Sequence, residues 1–368
     1  MKLLMISGDR SLAGRRQGPF LTLLEEFRFH FERIDILCPC GPEGESGGFA
    51  LFDNVWVHPS PVSLLSHAFW ISQRGTELVR EFGHDVMTVH EYPPFYNGLG
   101  ARGIHRKTGI SAVLEIHHII GFPQAAGLGE WIGRMLSRLF LGCHAARFTA
   151  VRTVNGSVKN QLAAWGVPAD RTSVVPSVYL DHALIGAVNN TPKKYDVVFC
   201  ARLVGNKGLP ETIVAMAGVP GATLLVVGDG PLKMKAQGMA KSLGIESRVT
   251  FTGWLPTAED TARAIASGRV FVMNSKSEGN PRVAVEAMSY GLPILATRVG
   301  IMPDIVKDGV NGMFIDGTSA DLAVKIRVML GDAGKVEKMS LEAAKVALQF
   351  EKKAAIRAYA DFLKSCVR

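Results

Sequence analysis

The sequence predicts an α/β protein built from two doubly wound, Rossmann-like domains, and three observations carry that expectation. Short apolar runs of strand length alternate with segments of helical periodicity, as βαβ units on a parallel sheet require. The alternation halts at the polar stretch 186–194 (GAVNNTPKK), which reads as a linker, and then restarts. At 368 residues the chain is too long for one ordinary core and suits two.

In the first half the strand-like runs are 3–6, 34–37, 55–57, 86–89, 112–116, 148–151 and 173–175. Helical patterns fall between them at 20–31, 66–82, 129–141 and 156–165. In the second half the runs are 196–200, 222–227, 249–251, 270–273, 293–296 and 313–315. The expected domains are 1–185 and 186–349. A C-terminal helix over about 350–368 is placed to cross back to the first domain. Open α/β sheets bind ligands at the carboxyl ends of their strands, so a cleft between two facing sheets is the expected site.

Bulk properties narrow the class. Hydrophobic residues make up 47% and charged ones 20%, which fits a folded globular chain. The apolar run 3–6 is too short for a signal-peptide core, and no segment reaches membrane-spanning length, so a cytoplasmic protein is expected. Cys38, Cys40, Cys143, Cys200 and Cys366 are odd in number and scattered, which reads as reduced thiols without zinc. A net charge of +8 suits nucleic acid, anionic lipid or a polyphosphate ligand. No basic arm, zinc finger or RNP pattern accompanies it, so no nucleic-acid partner is expected.

The most informative stretch is Ser277-Glu278-Gly279-Asn280-Pro281-Arg282-Val283, running on to Glu286-Ala287-Met288 and Gly291. Glu278 lies in a Gly/Pro loop, and Glu286 lies inside the helix that this loop opens. Eight residues span roughly 12 Å if helical, so the two carboxylates cannot act as a close dyad. They suit two parts of one long ligand whose phosphates meet the unpaired N–H groups of the helix start. The plain alternative is a loop acid and a surface-helix glutamate; the Gly, Pro and helix-start context favours a site. Upstream, Arg202 and Lys207 lie in a strand-to-helix loop, where a guanidinium and an ammonium suit a diphosphate. Gly228-Asp229-Gly230-Pro231 makes a tight turn after another strand.

Arg202-Leu203-Val204 with Lys207-Gly208, then Gly228-Asp229-Gly230-Pro231, then Glu278-Gly279-Asn280-Pro281 with Glu286-Ala287-Met288 and Gly291-Leu292-Pro293 occur in that order. Together they resemble the family 4 retaining glycosyltransferases (glycosyl transferases group 1) of the GT-B fold. The likeness is close from Asp196 to about Val310 and architectural in the first half. It implies that Arg202 and Lys207 hold the donor diphosphate and stabilise the leaving group. It further implies that the backbone at Arg282 and Val283 adds the helix-end contribution, that Glu286 binds the ribose, and that Glu278 orients the donor sugar with Gly279 and Asn280 beside it. A functional histidine facing the sugar is carried to His117, with His118 as the fallback, although a satisfied structural histidine is the plain reading of a strand end. Gly14, in the loop Gly14-Arg15-Arg16-Gln17-Gly18, stands where the family has a Gly-Gly pair that this chain lacks. Gly228 lies at the donor turn, and Trp254 either flanks the base or packs. Departures are Pro176-Ser177-Val178 in place of an Asn-Gly turn, Asn280 in place of an aromatic, and Ile301 in place of a glycine.

The resemblance implies transfer of a hexose-type sugar from a UDP- or GDP-linked donor to a glycan or lipid-linked acceptor, with retention of configuration. No Asp-x-Asp pair occurs, so metal independence and the absence of a cofactor are expected. A glycosidase would give no reason for Arg202 and Lys207, and an NAD-dependent oxidoreductase would need a third glycine in its fingerprint. A catalytically silent nucleotide-sugar-binding protein of the same fold is the remaining alternative. On the acceptor side, Trp131, Ile132, Met135, Leu136, Leu139 and Phe140 share one helical face, with Arg134 and Arg138 on another. Phe20, Leu23, Leu24 and Phe27 form a second apolar face near Arg28. Such faces either pack on a sheet or dock on an anionic inner-leaflet membrane surface.

Overall fold

The computed structural model describes residues 1–15, 18–40 and 47–367 and divides the chain into two compact units. One comprises Met1–Ile119, Ile132–Ser177 and Lys353–Arg368; the other comprises Ile120–Trp131 and Val178–Lys352.

The first unit is built on an eight-stranded sheet of β1 (Lys2–Ile6), β2 (Arg33–Pro39), β3 (Phe49–Phe52), β4 (Val55–Ser60), β5 (Val86–His90), β6 (Ser111–Ile116), β7 (Ala150–Thr153) and β8 (Thr172–Val174). Its order is β3-β4-β2-β1-β5-β6-β7-β8, so the winding reverses between β1 and β5. The central strands are mostly apolar because helices cover both faces of a parallel sheet, with Asp35, Thr88, Glu115 and Arg152 as buried exceptions. Only β3 pairs antiparallel, with β4. It was not expected, since Phe49-Ala50-Leu51-Phe52 is short and its Asp53-Asn54 turn lacks the usual glycine.

Helices Leu64–Phe82 and Tyr96–Thr108 approach closely because glycines line the contact. A Cβ on Gly100 would lie 2.6 Å from the Ile71 side chain and 2.9 Å from the Ala68 carbonyl oxygen. Leu24 and Phe27 are buried in the same core as Leu3 and Ile34, so this apolar face packs on the sheet. The C-terminal helix Lys352–Ser365 joins that core through Ile356, Tyr359, Ala360 and Leu363, one stripe at helical spacing. Tyr359 stacks on Phe27 with ring centroids 4.9 Å apart.

The second unit carries six parallel strands: β9 (Tyr195–Cys200), β10 (Leu224–Val227), β11 (Val249–Gly253), β12 (Gly268–Met273), β13 (Ile294–Ala296) and β14 (Gly312–Phe314). Their order is β11-β10-β9-β12-β13-β14, and the winding reverses between β9 and β12. This unit begins at Val178 rather than at residue 186. Val178 and Leu180 pack with Val198 and Phe271, and the Leu180 N–H donates to the Phe350 carbonyl at 2.8 Å. Residues 120–131 also belong here, through the Gln124 N–H donating to the Lys276 carbonyl at 3.3 Å. A single apolar pair and one backbone bond leave no periodic trace in sequence, so both segments read there as part of the first domain.

Glu91, just after β5, is a buried carboxyl whose Oε1 accepts from the Tyr92 N–H at 3.1 Å. Its Oε2 lies where a Cβ on Gly98 would be, 1.9 Å from that position, so only glycine fits there. Burial pushes this carboxyl up to about 8 from an ordinary value of 4.5, against the Tyr92 and Gly98 backbone donors. The stability it contributes is therefore complete below the unfolded value and is lost as pH rises through about 8. Glu91→Gln is expected to melt near wild type at pH 5 and progressively above it towards pH 9. A melting difference that stays flat across that range would show the carboxyl to be ionised throughout.

Candidate functional site

At the winding reversal of the second unit, the loops after β9 and β12 enclose a cavity of about 400 Å³. It is lined by Arg202, Lys207, Glu278, Asn280, Arg282 and Val283, among others. Gly208 makes this possible. It has φ +71, and a Cβ on it would lie 2.0 Å from the Asn274 carbonyl oxygen. The β9 loop therefore touches the β12 loop and delivers Lys207 to Glu278.

Lys207 Nζ lies 2.5 Å from Glu278 Oε1, and Ser275 Oγ donates to the same oxygen at 2.8 Å. Helix Arg282–Ser289 starts after Pro281, and Pro281, Arg282 and Val283 all line the cavity, so the helix begins at its wall. Within that helix Arg282 Nε donates to Glu286 Oε1 at 2.7 Å. Burial raises the Glu286 carboxyl, while Arg282 opposes the rise. Three basic residues (Arg202, Lys207 and Arg282), a helix start and a carboxylate thus meet in one cavity, an arrangement suited to an anionic ligand that also carries hydroxyls.

The other expected residues stand apart from this cavity's lining. Gly228, with φ +120, supports it from below, since a Cβ there would lie 2.1 Å from the Ala201 carbonyl oxygen. Gly279 is packed in the same way, its carbonyl oxygen 2.1 Å from where a Cβ on Gly300 would be. Trp254 is largely exposed after β11, so the packing reading does not hold. Gly14 belongs to the first unit, where its N–H turns back to the Ser11 carbonyl at 3.2 Å. Arg15 caps the Phe49 ring at 4.4 Å, and Arg16 lies outside the described residues.

His117 is in the first unit, just past β6, and joins a polar network that sequence reading missed. Its Nε2 bonds Glu115 Oε2 at 3.0 Å, and His90 Nε2 lies 3.0 Å from its Nδ1. Glu115 is buried; its Oε2 also accepts from Arg152 Nη1 at 2.7 Å, and its Oε1 accepts from Thr88 and Tyr359. Burial alone would raise the Glu115 carboxyl, but Arg152 and His117 hold it well below the ordinary range. Burial lowers both imidazoles, His90 to about 3, so the pair is neutral at physiological pH. A neutral His117 that donates to the Glu115 carboxylate carries its proton on Nε2, and His90 Nε2 stands edge-on to its ring, 2.9 Å from Nε2 and 3.0 Å from Nδ1. His90, Glu115 and His117 offer three ligand atoms within 4.8 Å of one another. The buried Arg152 already supplies their counter-charge, so the set fits a compensated carboxylate better than a metal centre. One signal was available: Glu115 and Arg152 face each other in register on two apolar strands.

On helix Leu128–His144, Trp131, Ile132, Met135, Leu136 and Leu139 are exposed. This face does not pack on the sheet. Phe140 is the exception, stacked on Phe95 at 4.1 Å.

The family model "Glycosyl transferases group 1" matches residues 183–346, and "Glycosyl transferase 4-like domain" matches residues 20–177. The chain is 28% identical over 276 residues to sulfoquinovosyl transferase SQD2 of Arabidopsis thaliana, a match covering 71% of this chain and 53% of that protein. It therefore spans about half the length of that relative. It is 26% identical to a GDP-mannose-dependent alpha-mannosyltransferase of Mycolicibacterium smegmatis, covering 84% of this chain and 82% of the other. The structure of HepE from Anabaena in complex with UDP superposes with a TM-score of 0.74 at 22% identity, covering 99% of this chain and all of that one. This chain belongs to the group 1 glycosyl transferases and has their GT-B fold.

Proposed function

We propose that the protein is a retaining glycosyltransferase that moves a hexose-type sugar from a UDP- or GDP-linked donor to a hydroxyl of a glycan or lipid-linked acceptor. Its place would be in cell-surface polysaccharide or glycolipid synthesis. The observation that carries this reading is the convergence of Arg202, Lys207, Glu278 and the start of helix Arg282–Ser289 on one cavity. Relatives named for GDP-mannose and solved with UDP support both nucleotide classes.

In the proposed reaction the acceptor oxygen attacks the anomeric carbon as the bond to the β-phosphate oxygen breaks. The acceptor proton passes to that departing oxygen on the same face, so configuration is retained. Negative charge builds on the leaving diphosphate, where Arg202, Lys207 and the N–H groups of Arg282 and Val283 are preset to meet it. These groups supply the positive charge that a metal would otherwise bring, and transfer is proposed to be metal-independent. Lys207 would exchange part of its contact with Glu278 for phosphate, freeing the Glu278 carboxylate for sugar hydroxyls. Glu286 would take the ribose and His117 would face the sugar.

A membrane surface is the proposed site of the acceptor. Helix Leu128–His144 exposes an apolar face along its length and ends beside a basic group, where His144 meets Arg102, itself crowded by Arg147 and Arg106. That combination suits anionic headgroups over an apolar interior. No helix among the described residues is long and apolar enough to cross a membrane.

In thermal-shift titration, UDP or GDP should stabilise the wild type, and Lys207→Ala should abolish the shift. Glu278→Gln should keep nucleotide binding and lose transfer by about two orders of magnitude; equal loss of both would assign Glu278 to the diphosphate instead. Nucleotide binding without any sugar release would establish the silent binder. Proton NMR of the product should show the donor's anomeric configuration, and inversion would remove the front-face mechanism. Vesicles of phosphatidylglycerol should pellet the protein and vesicles of phosphatidylcholine should not, with Leu136→Glu weakening the effect; equal pelleting would reject anionic docking.

A further inference from the structure

Local helix physics gives no reason for a cation at position 282. Arg282 opens its helix, where unpaired N–H groups concentrate positive charge, so a basic side chain there is disfavoured. Its partner Glu286 lies four residues on, and a pair with the base on the N-terminal side is the weaker of the two orientations. Yet the contact is close, with Arg282 Nε 2.7 Å from Glu286 Oε1, and the two side chains are only 38% and 19% exposed.

The surroundings of Glu286 supply the reason. Asp181, at the start of helix His182–Val188, repels the carboxylate and adds to the rise that burial causes. Cys200 at the end of β9 and Tyr290 just past the helix end also face it. Burial pushes the Cys200 thiol up to about 12 and raises the Tyr290 phenol, so both are neutral at physiological pH. Against burial and Asp181 stands Arg282. The guanidinium is itself held, its carbon 5.4 Å from the centroid of the buried Tyr179 ring. Arg282 also lines the cavity of Arg202, Lys207 and Glu278, so the pair borders the anion site.

We propose that Arg282 is a positioning residue for ribose recognition: its guanidinium fixes Glu286 through Oε1 and leaves Oε2 to accept a hydrogen bond from a ribose hydroxyl. The role deepens the reading of Glu286 as the ribose ligand and rests on it. The same bond helps to keep Glu286 ionised, and a carboxylate is a stronger acceptor for a hydroxyl than its protonated form. Glu286 loses that charge as pH falls through its raised value. Without Arg282 the value rises further, and ribose recognition is lost at a higher pH.

Isothermal titration calorimetry on the full chain from pH 6 to 9 tests this, with UDP, GDP and their 2′-deoxy and 3′-deoxy forms as probes. The ratio of ribo- to deoxynucleotide affinity cancels any contact that Arg282 makes with phosphate. In the wild type at pH 8, at least one deoxy form should bind about tenfold more weakly than its parent, the loss of one hydrogen bond to a charged group. In Arg282→Met the ratio should collapse towards one at a higher pH than in the wild type, and Arg282→Lys should recover most of the profile. In a Glu286→Gln background, Arg282→Met should leave the ratio unchanged, because Arg282 acts through that carboxylate. Circular dichroism checks folding, with Arg282→Gln as the second neutral variant. A ratio in Arg282→Met that matches wild type at every pH would overturn the proposal. So would a ratio lowered equally at every pH and not recovered by Arg282→Lys. Wild-type binding that never distinguishes ribo- from deoxynucleotide would remove the ribose reading and this proposal together, and leave the diphosphate assignment standing.

Discussion

The close approach of Gly208 to Asn274 is the constraint on which the second unit's chemistry depends. A methyl group at Gly208 would collide with a backbone carbonyl, which has no flexible end to swing away. The left-handed φ of Gly208 completes the requirement. The Lys276 N–H donates to the Asn206 carbonyl at 2.8 Å and stitches the same two loops together. Lys207 is thereby aimed at Glu278. The cavity around Lys207 and Glu278 is a consequence of two parallel strands, β9 and β12, releasing their loops at one edge where the winding reverses.

The ion pairs of the two units differ in kind. Lys207 and Glu278 are each partly exposed, 22% and 14%, and line a cavity open to ligand. Their pairing lowers the cost of gathering charge in the empty site and can be exchanged for a phosphate and a hydroxyl. Glu115 and Arg152 are each 2% exposed, and Glu115 accepts from four donors: Arg152, His117, Thr88 and Tyr359. Breaking such a pair strands a buried charge, though the intact pair need not add net stability over apolar neighbours. Tyr359 makes the C-terminal helix a participant in this network as well as a hydrophobic brace.

Both parallel sheets were legible because buried strands leave contiguous apolar runs, and the loops of Arg202, Lys207 and Glu278 were legible because Gly and Pro mark them. What sequence hid was pairing. Nothing local to Glu278 announces Lys207 as its counter-ion, and nothing local to Glu115 announces Tyr359, which lies in the last helix. Glu286 was legible as a helix residue, but its bond to Arg282 turns an expected backbone donor into a side-chain partner as well. The exposed face of helix Leu128–His144 has the same periodicity as a buried one. Periodicity reports that a face is apolar, not what covers it.

Glu278 sits in the loop from Ser275 to Pro281 under the hold of Ser275 and Lys207, which meet the same carboxylate oxygen. Gly300 packs beneath Gly279 so closely that a Cβ on it would lie 2.1 Å from the Gly279 carbonyl oxygen, which fixes the backbone that carries the carboxylate. A phosphate that drew Lys207 away would leave the Ser275 bond in place, so Glu278 would keep its position while one oxygen became free to accept from a hydroxyl. The pairing with Lys207 is therefore the exchangeable part of the site, and the loop backbone with Ser275 is the fixed part.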